Sequence, residues 1–434
     1  MNLKEVKDNL PEHIPFESLG IVETWVKEGN FPRKTFKNSL QNAIILLDSH
    51  PHFSDKIKYN EWDLQVYYED EPVEDYQVIE IIVFIAGQYR VDFSKNTIID
   101  ALKYVSKSYG YNPFIKHLNS IPIVREDLTI LDTWLVDYFG VKDLPIFRTF
   151  GRKWAIGNIA RSVFSTLKNP IQHDLCLLIQ GEQGAGKSTA LRKLAMKTEW
   201  FSDIPLDMSN FRESAIKIQG IFIYEMKELA KRAGIEAEKA FIDTRVDKFR
   251  PMYGKTDVRV VRKCNLAATT NYRSNIFKDS SGSRRWLGVV ATNIRTRELG
   301  KIADKLWAAA LYLLQRETIV HEGKTYNAFQ AIEDQIPGYE KFIWWLTANE
   351  EKARKTEAQL FTSEHPLSSK VKEYCIKNPI DITPAKIINY LDLPMNQRNK
   401  KMSSTIAFIL NDLGYHKTRV WESDGTRPTK WVKK

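Results

Sequence analysis

Apolar residues change their spacing along this chain of 434 residues, and the changes predict its elements. Over Phe36–Leu47, Asn96–Tyr109 and Leu128–Phe139 they recur at helical spacing, which predicts amphipathic helices. Glu80–Ala86 is a strand-like run, apolar after its first residue, and is closed by Gly87-Gln88. Residues 1–165 are thus expected to form a mainly helical accessory region. Across residues 166–295 short apolar runs, Leu175–Ile179, Ile221–Tyr224 and Cys264–Thr269, alternate with loops and with helix-like stretches such as Thr189–Lys197. That alternation predicts an α/β core, a parallel sheet with flanking helices. Helical spacing returns over residues 296–350, which include the Trp-rich stretch Phe342–Leu346 and complete the core unit of residues 166–350. The polar stretch 351–366 reads as a linker.

Residues 367–434 read as a separate unit. Ser368–Lys377 is a helix, and Thr383-Pro384 supplies an N-cap and a first-turn proline for a second. A third spans Asn396–Leu413 and ends at Gly414. Lys417–Glu422 and Lys430–Val432 then flank the tip Ser423-Asp424-Gly425-Thr426 as a hairpin. This is the pattern of a winged helix, whose third helix suits a DNA major groove. Gln397, Arg398, Asn399, Lys400 and Lys401 crowd the start of that helix, with side chains that reach bases and phosphates. A protein-binding winged helix with a basic face is the alternative.

Composition narrows the class. Hydrophobic content of 43% and aromatic content of 12% supply packed cores, which excludes wholesale disorder. The formal charge is +10, and Leu367–Lys434 carries seven of that excess, which suits a polyanionic partner. Cys176, Cys264 and Cys375 form no close pair, so neither a disulfide framework nor a zinc ribbon is expected, and a cytosolic setting fits. The start Met-Asn-Leu-Lys-Glu has no signal-peptide core, and no apolar run approaches the ~20 residues of a membrane span. The acidic run Glu69–Asp75, broken by Pro72, reads as a solvated loop rather than a metal cluster.

The chemistry concentrates at Gly181-Glu182-Gln183-Gly184-Ala185-Gly186-Lys187-Ser188-Thr189. Gly, four residues, then Gly-Lys-Ser between a strand and a helix is the pattern of a nucleoside triphosphate loop. Successive backbone amides and a helix N-terminus cradle the phosphates. Lys187 would reach the β- and γ-phosphates and the Ser188 hydroxyl would hold Mg²⁺. Ile221–Tyr224 then ends at Glu225, with Glu228 three residues on. A buried strand ending in an acid can set a carboxylate near Mg²⁺ and the attacking water, and an ordinary strand with a charged helix cap is the bland alternative. Asn271, ending the third strand, could orient that water or be a turn residue. The Ser/Gly stretch Asp279–Ser283 presents Arg284 and Arg285, either as an arginine finger toward a neighbouring subunit or as a basic surface loop.

Taken in order, the loop, Gly220–Glu228, Val246–Gly254, Ala268–Asn271 and Gly282–Trp286 closely resemble the virulence-associated protein E family. The likeness is specific over about residues 175–290. It is looser at Tyr59–Trp62, Asn112–Leu118 and Lys153–Arg161, and says little about the last 70 or so residues. The resemblance implies AAA+ ATPases akin to superfamily 3 helicases of phages and mobile elements. It implies a homohexameric ring with ATP at subunit interfaces, and DNA-stimulated hydrolysis with 3′ to 5′ movement on single-stranded DNA. By position, Gly181–Ser188 bind ATP, Glu225 and Glu228 fill the acidic motif, Asn271 is the polar sensor and Arg284 or Arg285 the finger. Many such ATPases place two acids side by side, whereas Tyr224 precedes Glu225 here. In superfamily 3 relatives a hairpin before the third strand lines the pore. Lys255, at the tip Tyr253-Gly254-Lys255, is the corresponding DNA contact, with Arg259 and Lys263 as supports. An exposed edge hairpin is the alternative. The expectation is an ATP-driven DNA helicase and replication initiator working with Mg²⁺ and a separate primase or polymerase. Its winged helix would meet the duplex origin through Arg398, Lys400 and Lys401. A loader that melts DNA without processive unwinding, or a nucleotide-switched DNA-binding regulator, stands beside it.

Overall fold

A computed structural model describes residues 21–28, 31–227, 235–250, 256–271, 283–321, 323–358, 367–379, 382–392, 400–419 and 429–433. Its centre is a five-stranded sheet of β7 (Cys176–Gln180), β8 (Phe201–Ser202), β9 (Ile223–Lys227), β12 (Asn265–Thr270) and β13 (Trp286–Val290). The order is β13-β7-β12-β9-β8 and every neighbouring pair is parallel. The near-continuous apolar runs predicted this, because a strand covered on both faces has no polar side. All residues of β7 and β12 are buried. On one side the sheet meets the helices Pro145–Ile159, Lys187–Leu194 and Thr296–Arg316 in a core that includes Leu177, Ile179, Leu191, Trp307 and Leu287. On the other, Leu178, Tyr224, Met226, Leu266 and Ala268 pack on Phe241 and Ile242 of helix Ile235–Asp243.

The described N-terminal part is mainly helical and also carries two small sheets. β1 (Glu23–Glu28) pairs with β2 (Phe31–Phe36). β3 (Ile57–Asn60), β4 (Gln65–Tyr68), β5 (Glu71–Pro72) and β6 (Gly110–Tyr111) form a sheet in the order β5-β4-β3-β6. The run 80–86, expected as a strand, belongs to helix Asp75–Tyr89. Two features override the β-branched run. Glu74 and Gln77 form a capping box, and Val78, Ile81, Ile85 and Tyr89 fall on one buried face. Gly87, read as a stop, sits inside the helix, which ends at left-handed Arg90. The helices expected near 36–47, 96–109 and 128–139 are Leu40–Ser49, Lys95–Ser108 and Ile130–Phe139.

One aromatic joint ties the two sheets together. Trp62, on the turn after β3, stacks on Phe114 with centroids 4.2 Å apart and donates its indole N–H to the Gly220 carbonyl at 2.7 Å. Trp200 and Phe222 complete the cluster around Phe114.

Residues 367–433 carry their own core of Val371, Ile382, Ile387, Ile406, Ile409, Leu410 and Trp431. Helices Ser368–Lys377, Pro384–Tyr390 and Lys400–Asp412 are followed by the strand Tyr415–Arg419, which pairs antiparallel with the strand Thr429–Lys433. Thr383 caps its helix as expected, its hydroxyl accepting the Lys386 amide at 3.4 Å. The polar stretch from Glu351 is not a linker at its start, because it continues helix Ala348–Ala358. Among the described residues no helix is long and apolar enough to cross a membrane and no acidic or Cys/His cluster is arranged to hold a metal. Cys176, Cys264 and Cys375 are buried and free.

Truncating Trp62 to alanine empties a buried, stacked site and is expected to cost about 3–5 kcal/mol, read by urea unfolding. An effect below about 1 kcal/mol would show that the joint does not hold the sheets together. A second expectation concerns His173, sealed over Gly157, where any side chain would strike its ring. Burial, with Arg161 nearby, holds its imidazole well below the usual 6.5. As pH falls below about 6.5 the unfolded chain takes a proton that the folded chain refuses. Stability is therefore full above that pH and drops by up to about 1.4 kcal/mol per unit below it. Unfolding at pH 7.5 and 5.5 should show the slope in the wild type and a shallower one in His173→Gln.

Candidate functional site

The site lies where β7 ends. Gly181 N–H donates to the Thr270 carbonyl at 3.2 Å, and the chain then turns through Gly184 and Gly186 at φ +81° and +88°. Side chains rarely adopt that backbone, which explains the glycines. Helix Lys187–Leu194 starts directly after, so its unpaired N-terminal amides open toward the loop. Chain order places this at a switch in the sheet: β7 runs beside β13 and β12, while the next strand, β8, lies at the far edge. Ligand crevices form outside strand C-termini at such points.

Lys187 is 7% exposed and folds back into the loop. Its ammonium donates to the carbonyls of Gly181 at 2.9 Å and Glu182 at 2.6 Å, and to Asn271 Oδ1 at 2.7 Å. Burial pushes this ammonium below the ordinary lysine range, and the Glu225 carboxylate pulls the other way. The Ser188 hydroxyl donates to Glu225 Oε1 at 2.7 Å, and the Thr269 hydroxyl donates to the same oxygen at 2.5 Å. Glu225 is 1% exposed, and its Oε2 takes no hydrogen bond among the described residues. A buried carboxylate oxygen without a donor is costly unless something positive meets it. Ser188 and Glu225 are the hard oxygen donors here that could take a divalent cation.

Four of the expected site residues therefore converge: Lys187, Ser188, Glu225 and Asn271. Two details differ from expectation. Glu225 sits inside β9 rather than at its end, because the strand continues to Lys227. Thr269 was missed, since a threonine in the small apolar run 266–270 looks like β-propensity; only the pairing of β12 with β9 brings its hydroxyl to Glu225. Glu182, Gln183 and Thr189 are exposed around the loop. Glu228 lies outside the described residues.

The two arginines separate. Arg285 is 6% exposed and forms a two-point ion pair with Asp243, Nε at 2.7 Å and Nη2 at 2.5 Å. That anchors it within its own chain and removes it as the reaching residue. Arg284 is exposed beside it. Both precede β13, whose Trp286 is level with Cys176 at the start of β7, whereas the loop follows the end of β7. Five strand residues, about 16 Å, separate the two edges, so Arg284 does not face the Lys187 cluster of its own chain.

The expected DNA contacts are also divided. β10 (Val246–Phe249) pairs antiparallel with β11 (Val258–Val261), with exposed Lys248 opposite exposed Arg259. Lys255 lies outside the described residues. Lys263 is not part of an open basic face. It donates to the Glu61 carbonyl at 2.9 Å beside the Trp62 ring, and burial lowers its ammonium from the ordinary range. Arg262, just before it, is sealed in a two-point ion pair with Asp247 at 3.0 and 2.5 Å that ties the hairpin's base together. Arg398 lies outside the described residues, and Lys400 and Lys401 begin the helix Lys400–Asp412.

The virulence-associated protein E-like domain matches residues 118–337, which take in the sheet, the loop and every converging side chain. The chain belongs to this family. No curated protein matches it. Among solved structures, the apo C-terminal region of NrS-1 is similar at 12% identity, covering 92% of this chain and 100% of that one with a TM-score of 0.44. A second structure of the NrS-1 C-terminal region is 13% identical, covers 95% and 94%, and has a TM-score of 0.38.

The two arginines make a direct comparison. Arg285→Ala strands Asp243 and should destabilise by about 1–3 kcal/mol, whereas Arg284→Ala should stay within about 0.5 kcal/mol of wild type. Equal effects in thermal unfolding would contradict the division of roles.

Proposed function

We propose that this chain is an ATP-dependent DNA helicase and replication initiator of a mobile genetic element, working as a ring of identical subunits. The observation that carries it is the Lys187 cluster. An ammonium held by three oxygen acceptors at a helix start, behind a loop of left-handed glycines, is what a phosphate-binding loop of an AAA+ ATPase needs. A polyphosphate would replace the two carbonyls and Asn271 as the partner of Lys187. Ser188 and the unpartnered oxygen of Glu225 would hold Mg²⁺, which when bound neutralises charge on the phosphates. Glu225 and Glu228 share the acidic role, and Asn271, already at the ammonium, would orient the lytic water. Arg284, on the opposite edge of the sheet, suits a phosphate bound to the neighbouring subunit.

For DNA, the β10–β11 hairpin, with Arg259 on its strand and Lys255 read from the sequence as its tip, is the candidate pore contact for single-stranded DNA. The terminal unit, read as a winged helix, would bring Arg398, Lys400 and Lys401 to duplex DNA at an origin. A 3′ to 5′ direction, a sixfold ring and a partner primase or polymerase extend the family resemblance. The virulence-associated protein E-like family match supports this reading.

The deciding experiment measures ATP hydrolysis by the purified chain with and without single-stranded DNA, alongside strand displacement from a forked duplex. Wild type should hydrolyse faster with DNA and displace the strand, and Lys187→Ala should lose hydrolysis by about a hundredfold or more. Retained hydrolysis in Lys187→Ala would sink the site. Hydrolysis without displacement would identify a loader that melts DNA instead of a translocating helicase.

A further inference from the structure

Thr269 is 6% exposed inside β12, where a valine would fill the same shape without a hydroxyl to satisfy. Burying that hydroxyl costs free energy unless it finds a partner, and its partner is the Glu225 carboxylate at 2.5 Å. The parallel register explains the reach. Ala267, level with Glu225, brings no polar group, and Thr269 lies two residues further along, on the same face of the strand. The last residues of this strand path each meet a different part of the site. Thr269 meets the acid, the Thr270 carbonyl accepts from the Gly181 amide, and Asn271 accepts from Lys187.

The donors on Glu225 are one-sided. Ser188 and Thr269 both donate to Oε1, and Oε2 takes no hydrogen bond among the described residues. A carboxylate that pivots exchanges its two oxygens, so two donors on one oxygen fix which oxygen is left over. Ser188 belongs to the helix that starts at the loop and is itself a candidate cation ligand. Thr269 sits in a fully buried strand paired on both sides, so its hold on the carboxylate comes from the sheet rather than from the loop. We propose that Thr269 is a positioning residue, whose hydroxyl pins Oε1 and so keeps Oε2 of Glu225 turned to the divalent cation of a bound nucleotide. This rests on the reading of Glu225 as an acid that meets Mg²⁺.

The test uses the full chain and two readouts. One is Mn²⁺ binding, followed by electron paramagnetic resonance with a non-hydrolysable ATP analogue present, and the other is ATP hydrolysis across a Mg²⁺ titration. Thr269→Val should weaken Mn²⁺ binding about tenfold or more and raise the half-saturating Mg²⁺ to match, with binding of the analogue in EDTA within about twofold of wild type. Thr269→Ser, which keeps the hydroxyl, should recover most of the loss. Unchanged Mn²⁺ affinity in Thr269→Val, an equal loss in Thr269→Ser, or an equal loss of analogue binding in EDTA overturns the positioning role alone. Glu225→Gln separates this from the reading it rests on. If that variant binds Mn²⁺ as tightly as wild type, Glu225 does not meet the cation and both fall. If circular dichroism shows Thr269→Val unfolded, Thr269→Ala carries the same measurements, and the same outcomes decide.

Discussion

The pairing of β12 with β7 on one side and β9 on the other is the interaction on which the site depends. The strand is buried along its whole length, so its register cannot slip without exposing apolar residues or burying polar ones. That register brings Thr269 to Glu225, the Thr270 carbonyl to the Gly181 amide, and Asn271 to Lys187. Side chains from two strands and one helix, with the backbone at the end of a third strand, thus meet at one end of the sheet. None of them is placed by its own local conformation alone.

The same strand continues backward into the hairpin. Lys263 and Cys264 lie between β11 and β12, and their carbonyls accept from Ser162 and Arg161 of the segment Ala160–Phe164. Arg161 is fully buried, and burial brings its guanidinium down to about 10. With Arg262 locked on Asp247, the join between hairpin and sheet is a block of buried cations held by carbonyls and one carboxylate. Such groups are expensive to misplace, because each loses its hydrogen bonds in a medium with no water to replace them. The hairpin and the end of β12 that faces the glycine loop therefore belong to one strand path.

The opposite edge of the sheet is built from ion pairs of a different kind. Asp243 holds Arg285 and leaves its neighbour Arg284 exposed. Paired arginines in sequence look equivalent, but one is a structural tie and the other is free to meet something outside the chain. The N-terminal sheet makes its own attachment through Trp62, and Lys263 lies across that joint. Basic residues near the hairpin thus divide between those that hold the fold and those, such as Lys248 and Arg259, that face outward.

Local pattern in the sequence was enough for the parallel sheet, the glycine loop, most helices and the terminal three-helix unit with its hairpin. Apolar periodicity, caps and left-handed glycines act within a few residues, so they are legible without the fold. The error at residues 80–86 is of the same origin: an apolar run suits strand or helix, and only the capping box and the buried face of helix Asp75–Tyr89 decide. What the tertiary structure alone decided is which polar and charged groups face each other. Thr269 with Glu225, Asp243 with Arg285, Glu61 with Lys263 and Lys153 with Glu350 join residues far apart in the chain. Such pairs form because a buried charge or hydroxyl must find a partner, and that partner is known only once the sheet has brought distant segments together.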